Sequence, residues 1–128
     1  MNSLKASVLV ANFNNQNFIN ECINSLKKQS YKNLEIIFYD DCSIDNSLSK
    51  IKKYDNIKII SNKNRGEIGS FNQINAYQKA FNESGGDIIF FLDSDDYFHE
   101  NKIETIINTF ANNEKLIAIY DLPIIKKK

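Results

Sequence analysis

Short apolar runs alternate along this chain with segments whose apolar residues recur at helical spacing. Residues 6–11 (ASVLVA) are a continuous run rich in β-branched side chains, which predicts a strand buried on both faces. Residues 34–40 (LEIIFYD), 57–61 (IKIIS) and 87–92 (DIIFFL) predict a second, third and fourth strand. Between the first two, Phe18, Ile19, Cys22, Ile23 and Leu26 recur every three or four positions and predict an amphipathic helix. Ile44, Leu48 and Ile51 predict a short second helix, with Ser43 placed to cap it. Residues 70–82 carry the stripe Phe71, Ile74 and Phe81, and residues 103–110 the stripe Ile103, Ile107 and Phe110. Both read as helices with those stripes in the core. Ser84-Gly85-Gly86 marks a turn before the fourth strand, and residues 116–122 (LIAIYDL) read as a fifth.

Strands alternating with helices across short links predict an α/β fold: a mostly parallel sheet with helices on both faces. In such folds ligands bind beyond the carboxyl ends of the strands, where strand order reverses. Four polar loops belong at that edge: Asn12-Phe13-Asn14, Asp40-Asp41, residues 62–66, and Asp93-Ser94-Asp95-Asp96. The 128 residues carry 16 basic and 16 acidic side chains, so the net charge is zero and no nucleic-acid partner is expected. Two cysteines without a paired motif point to a reduced, cytoplasmic protein, and a single histidine offers no zinc site. No stretch has the layout of a signal peptide or the length of a membrane span. The chain reads as one domain.

The acidic cluster after the fourth strand carries the chemistry. Turn formation or a helix start accounts for one aspartate, and Asp96 fits the role of helix cap. Three carboxylates within four positions repel one another unless a cation lies among them. Mg²⁺ or Mn²⁺ suits one or two carboxylates completed by phosphates and water, and would stabilise a diphosphate leaving group. Asp40-Asp41 offers acceptor-only groups that suit the imide N–H of uracil or thymine, or else caps the second helix with Ser43. A receiver domain or an aspartate-nucleophile phosphatase needs acids after the first strand, which here ends in Asn12. P-loop and dinucleotide glycine motifs are absent.

These motifs in this order resemble a family 2 glycosyltransferase of the GT-A fold, a Rossmann-like nucleotide-diphospho-sugar transferase fold. The resemblance runs from about residue 6 to about residue 121 and covers SVLVANFNNQNF, IIFYDDCSIDNS, NRGEIGSFNQINAYQKAF and GGDIIFFLDSDD. It implies that Ala11, Asn12, Phe13 and Asn14 cradle the base of a nucleotide-sugar, with Phe13 supplying a stacking ring. It implies a base contact at Asp41 and close approach of backbone to donor at Asn64 and Gly66. Asp93, Ser94 and Asp95 match the DXD motif, with Asp95 the principal metal ligand and Asp93 toward the ribose and metal-bound water. Cys42 replaces a family glycine, a departure that implies no positive φ there. Ser70-Phe71-Asn72 replaces an Ala-Arg-Asn element, so a family arginine is missing. Arg65, in the preceding loop, is not counted as its substitute. His99 is expected at the surface.

The implied activity is metal-dependent transfer of a sugar from a UDP- or dTDP-sugar to a glycan or lipid-linked acceptor, with inversion, as in cell-surface polysaccharide synthesis. The alternative is a module that binds metal and nucleotide-sugar without transferring. The general base is expected beyond Lys128, since Glu67, Glu100 and Asp121 lack a matching context, and the acceptor half is expected to be missing. A donor-binding half of a longer enzyme and a short natural protein both fit. An uncovered sheet edge near residues 117–125 predicts homodimer formation. Lys126-Lys127-Lys128 predict a weak peripheral attraction to the inner face of an anionic membrane.

Overall fold

The computed structural model describes residues 3–122 and 124. Eight elements follow in the order β1 (Ala6–Asn12), α1 (Ile19–Lys27), β2 (Leu34–Asp40), α2 (Ser47–Ile51), β3 (Ile57–Ser61), α3 (Gly69–Asn82), β4 (Ile88–Asp93) and α4 (Lys102–Ala111). The four strands are all parallel and lie in the order β3-β2-β1-β4. The chain therefore steps outward from β1 through β2 to β3, then returns to the other side of β1. Strand order reverses between β1 and β4, and the crevice such a reversal leaves opens beyond Asn12 and Asp93.

The period-two alternation of β1 feeds two cores. Ala6, Val8 and Val10 face α1, α2 and α4, where they meet Ile19, Cys22, Ile23, Leu26, Ile51, Ile103 and Ile107. Leu9, with Ile37 and Tyr39 of β2, faces Ala76 and Ala80 of α3. Helices thus cover both faces, as predicted. Full burial of each such Ile or Leu contributes about 1.5–3 kcal/mol, so the β1-centred layers dominate stability. Gln29, fully buried at the end of α1, donates to the Ser25 and His99 carbonyls and accepts from the Ile103 N–H. That one amide fixes the entry to α4.

Three expectations fail in informative ways. Phe71, Ile74 and Phe81 form a helical stripe, but it points outward, with Phe71 65% and Ile74 62% exposed. α3 instead lays Asn72, Ala76 and Ala80 on the sheet, small residues that let its backbone approach closely. Residues 116–122 form no strand. Ile117, Tyr120 and Leu122 are exposed, so no buried face fixes a register against β4. β4 is consequently an edge of the described sheet. Ser43 does not cap α2, which starts four residues later at Ser47 after Asn46; Asp45 accepts the Ser47 N–H there instead. The remaining helices fall where the periodicity put them. His99 is exposed, and Lys126-Lys127-Lys128 lie outside the described residues.

At the end of the sheet away from the crevice, Glu35 gathers the Lys5 ammonium, the Ser7 hydroxyl at 2.6 Å and the Gly85 N–H at 2.6 Å. Burial pushes the Glu35 carboxyl up, but these hydrogen bonds and the Lys5 charge outweigh it and hold it at about 2, below the ordinary 4.5. A depressed pKa in the fold means stability that is complete above the unfolded value and lost as pH falls toward the folded one. Denaturant titrations from pH 5 down to roughly pH 2 should therefore show falling stability. Glu35→Gln should be less stable at neutral pH and lose less over the same window; parallel curves for the two proteins would contradict this assignment.

Candidate functional site

A cavity of about 270 Å³ opens at the carboxyl ends of β1 and β4, bounded by the loop after β2 and the start of α3. Its floor is set by Asn12, the last residue of the central strand. Asn12 is buried, and its amide spends every group on neighbouring loops. Nδ2 donates to Asp40 Oδ1 at 2.7 Å and to Ser43 Oγ at 3.1 Å, while Oδ1 accepts from Ser94 Oγ at 2.7 Å. Asp40 also accepts the Ser43 N–H, and Ser43 Oγ also accepts the Asn14 N–H at 2.9 Å. Asp40 is thus the fully buried anchor of the turn, which leaves Asp41 to face the cavity.

On one side of the cavity stand Phe13, Asp41 and Arg65. Asp41 accepts from Asn62 Nδ2 at 2.9 Å and from Arg65 Nε at 3.1 Å. The Arg65 guanidinium also lies over the Phe13 ring, 3.7 Å from its centroid. On the other side stand the carboxylates of Asp93 and Asp95. One oxygen of Asp93 accepts from Gln73 Nε2 at 2.7 Å and from the Tyr77 hydroxyl, both on α3. Burial, the hydrogen bond to Asp93 and the nearby acids push the Tyr77 hydroxyl pKa upward, so it is held as a donor. Behind them burial, followed by the charges of Asp96, Asp95 and Asp93, pushes the Cys22 thiol up to about 12.

Asp93, Asp95 and Asp96 each bring a carboxylate oxygen within 4.8 Å of the others. Burial and the charges of Asp95 and Asp93 push Asp96 above its ordinary value, as uncompensated acids should. An all-oxygen donor set fits a hard divalent cation such as Mg²⁺ or Mn²⁺ and not zinc. The helix-cap reading of Asp96 fails: its N–H closes a turn onto the Asp93 carbonyl, and α4 begins only at Lys102.

Of the residues expected at the site, Ala11, Asn12, Phe13, Asp41, Asp93 and Asp95 line the cavity. Asn14, Asn64, Gly66 and Ser94 do not. Asn14 ties its loop to Ser43 and Ile44, and the Asn64 carbonyl accepts from Asn62. Ser94 is fully buried between Asn12 and Asn15. At Gly66 the close neighbour is the Asn72 side chain, which bonds both the Gly66 N–H and carbonyl; a Cβ there would meet Asn72 Oδ1 at 2.8 Å. Cys42 corrects another expectation. Its φ is 62°, so the turn keeps the left-handed backbone of a glycine despite the side chain. Pattern reading missed Gln73 and Tyr77, although their i, i+4 spacing beside a strand ending in aspartate was available as a signal. It also discounted Arg65, which lies in the cavity wall.

The family profile described as Glycosyl transferase family 2 matches residues 7–128. The chain belongs to that family. It is 36% identical over 121 residues to the Escherichia coli UDP-Glc:alpha-D-GlcNAc-diphosphoundecaprenol beta-1,3-glucosyltransferase WfaP, covering 94% of this chain and 47% of the relative. It is 32% identical over 103 residues to the Staphylococcus aureus poly(ribitol-phosphate) beta-N-acetylglucosaminyltransferase TarS, covering 79% of this chain and 18% of that protein. The crystal structure of TarS residues 1–349 with UDP-GlcNAc superposes with a TM-score of 0.75 at 28% identity, covering 87% of this chain and 32% of that one. A Pyrobaculum calidifontis mannosyltransferase in complex with GDP-Man and Mn²⁺ shares the fold at a TM-score of 0.66 and 19% identity, covering 82% and 31%. The family 2 chain described here therefore spans less than half the length of these relatives.

A non-glycine residue at left-handed φ costs about 1–2 kcal/mol. Cys42→Gly should therefore raise unfolding stability by about 1 kcal/mol, while the β-branched Cys42→Val should lower it, as read from denaturant midpoints. Equal midpoints for all three proteins would show that the turn carries no such strain.

Proposed function

We propose that the cavity at the β1/β4 crevice binds a nucleoside-diphosphate sugar, and that the enzyme transfers the sugar to a glycan or lipid-linked acceptor with inversion. The observation that carries this reading is the polarity of the cavity. A base-sized face formed by Phe13 and Asp41 lies on one side, and a convergent carboxylate set of Asp93, Asp95 and Asp96 on the other. Asp41 would accept the imide N–H of uracil or thymine, and the Phe13 ring would stack on the base. UDP- and dTDP-sugars are favoured on that ground. The name of WfaP, a UDP-Glc:alpha-D-GlcNAc-diphosphoundecaprenol glucosyltransferase, supports the same donor and acceptor classes.

Asp95 and Asp93, with Asp96 beside them, would hold Mg²⁺ or Mn²⁺. The ion would neutralise the diphosphate as it leaves. Gln73 and Tyr77 keep Asp93 oriented with both donors on one oxygen, leaving its other oxygen for the ion. Inversion requires a carboxylate that removes the acceptor's proton during attack on the anomeric carbon. Among the described residues lining the cavity the carboxylates are Asp41, Asp93 and Asp95, all with other work. Asp121 pairs with Lys102, away from the cavity. In this reading the base and the acceptor site come from elsewhere in the enzyme, and the relatives' greater length supports that. The same observation favours a second reading of these residues alone, as a module that holds metal and donor without transferring. Cytoplasmic placement, contact with the inner membrane face through the terminal lysines, and pairing of two copies through the region of residues 117–125 belong to the proposal as well.

Calorimetric titration with UDP, dTDP and GDP, each with Mn²⁺, Mg²⁺ or EDTA, tests the donor site. UDP or dTDP should bind more tightly than GDP, and only weakly in EDTA. Asp95→Ala should remove the metal dependence, with a loss of roughly tenfold or more, the scale of one charge-assisted contact. Binding that is indifferent to metal and to Asp95 would overturn the metal assignment. Failure of every nucleotide to bind would overturn the donor site.

A further inference from the structure

Arg65 holds two partners that the proposed donor needs. Its Nε donates to Asp41 Oδ2, and its guanidinium plane covers the Phe13 ring at 3.7 Å. A stacked base and a stacked guanidinium take up the same space over that face of the ring, so they exclude each other there. Asp41 Oδ1 is already engaged by Asn62 Nδ2. As the loop stands, Arg65 occupies the position of the base.

The charge balance says where the guanidinium goes next. Among the described residues lining the cavity, Arg65 is the one cation, set against Asp41, Asp93 and Asp95. A nucleoside diphosphate adds further negative charge to the same space. A divalent ion at the DXD acids offsets part of that charge, and a guanidinium, whose planar fork matches phosphate oxygens, can offset more. Room for the movement exists. Arg65 Nη2 already reaches the start of α3, where Gly69 carries no side chain and an added Cβ would lie 3.9 Å away. The Arg65 side chain is 31% exposed but the Asp41 side chain only 7%, so Asp41 gives up the guanidinium only as the imide N–H of the incoming base takes its place.

We propose that Arg65 is a donor-binding residue that swaps partners: it leaves Phe13 and Asp41 to the incoming base and takes the diphosphate instead. This rests on the donor-site reading above and deepens it. The swap makes a specific demand on energetics. Arg65 competes with a nucleoside but assists a nucleoside diphosphate, so its removal should move the two affinities differently. A fixed base platform, or a purely structural arginine, would move them together.

Calorimetry with uridine and with UDP, both with Mn²⁺, separates these cases for wild type, Arg65→Ala and Arg65→Lys. In Arg65→Ala, UDP should bind roughly ten- to a hundredfold more weakly, the worth of a charge-assisted contact, while uridine binds as well as to wild type or better. Arg65→Lys keeps the charge without the planar fork and should lie between the two for UDP. Parallel weakening of uridine and UDP, or no change in UDP, would overturn the swap while leaving the donor site intact. Wild type that binds neither ligand would overturn the donor site and the swap with it.

Discussion

The side-chain amide of Asn12 is the constraint on which the site depends. It sits at the end of β1, one of the two described strands with neighbours on both sides and helices on both faces. Its donors hold the turn after β2 through Asp40 and Ser43, and its acceptor holds the turn after β4 through Ser94. The group expected to meet the base and the groups expected to meet the metal are therefore fixed relative to one another by one buried residue. Leaving any of its partners unpaired in that interior would cost about 1–3 kcal/mol each, which makes the cradle stiff. A stiff cradle suits the proposed donor, which would be held at both ends.

The rest of the site is softer, and the difference has a physical origin. Arg65, partly exposed, bridges the buried Asp41 and the Phe13 ring, and in the proposed swap each of these contacts gains another partner. The acid cluster carries its own repulsion, with Asp96 raised by burial and by its neighbours. Buried amides and hydroxyls set the frame, and half-exposed charges are left to respond. α3 contributes to both. Asn72 clamps Gly66 from the frame side, while Gln73 and Tyr77 aim Asp93 from the cavity side.

Much of this was readable in the chain because period two and period 3.6 are written in the apolar positions. The four strands, four helices and four polar loops follow from that alone, and the motifs around Asp41 and Asp95 placed them on one edge. What could not be read depended on direction or on tertiary partners. The stripe of Phe71, Ile74 and Phe81 has helical period, but period does not say which face meets the sheet, and the alanine face won. Cys42 in place of a glycine argues against a positive φ, because a side chain disfavours it, yet the folded turn holds it at 62°. Ser43 looked like a cap from its position, whereas Asn12 and Asn14 claimed its hydroxyl. Residues 116–122 had strand composition without a buried face to organise them. Arg65 does not count as the missing arginine on position alone, since only the folded chain brings it onto Phe13.

The most direct test of the account is a crystal structure of this chain grown with UDP and Mn²⁺, with anomalous data collected to place the manganese. The account predicts an anomalous peak bound by Asp95 and Asp93, a uracil ring against Phe13 with its imide N–H on Asp41, and the diphosphate between them. Manganese away from Asp93 and Asp95, or a nucleotide bound elsewhere with the β1/β4 crevice free of it, would contradict it.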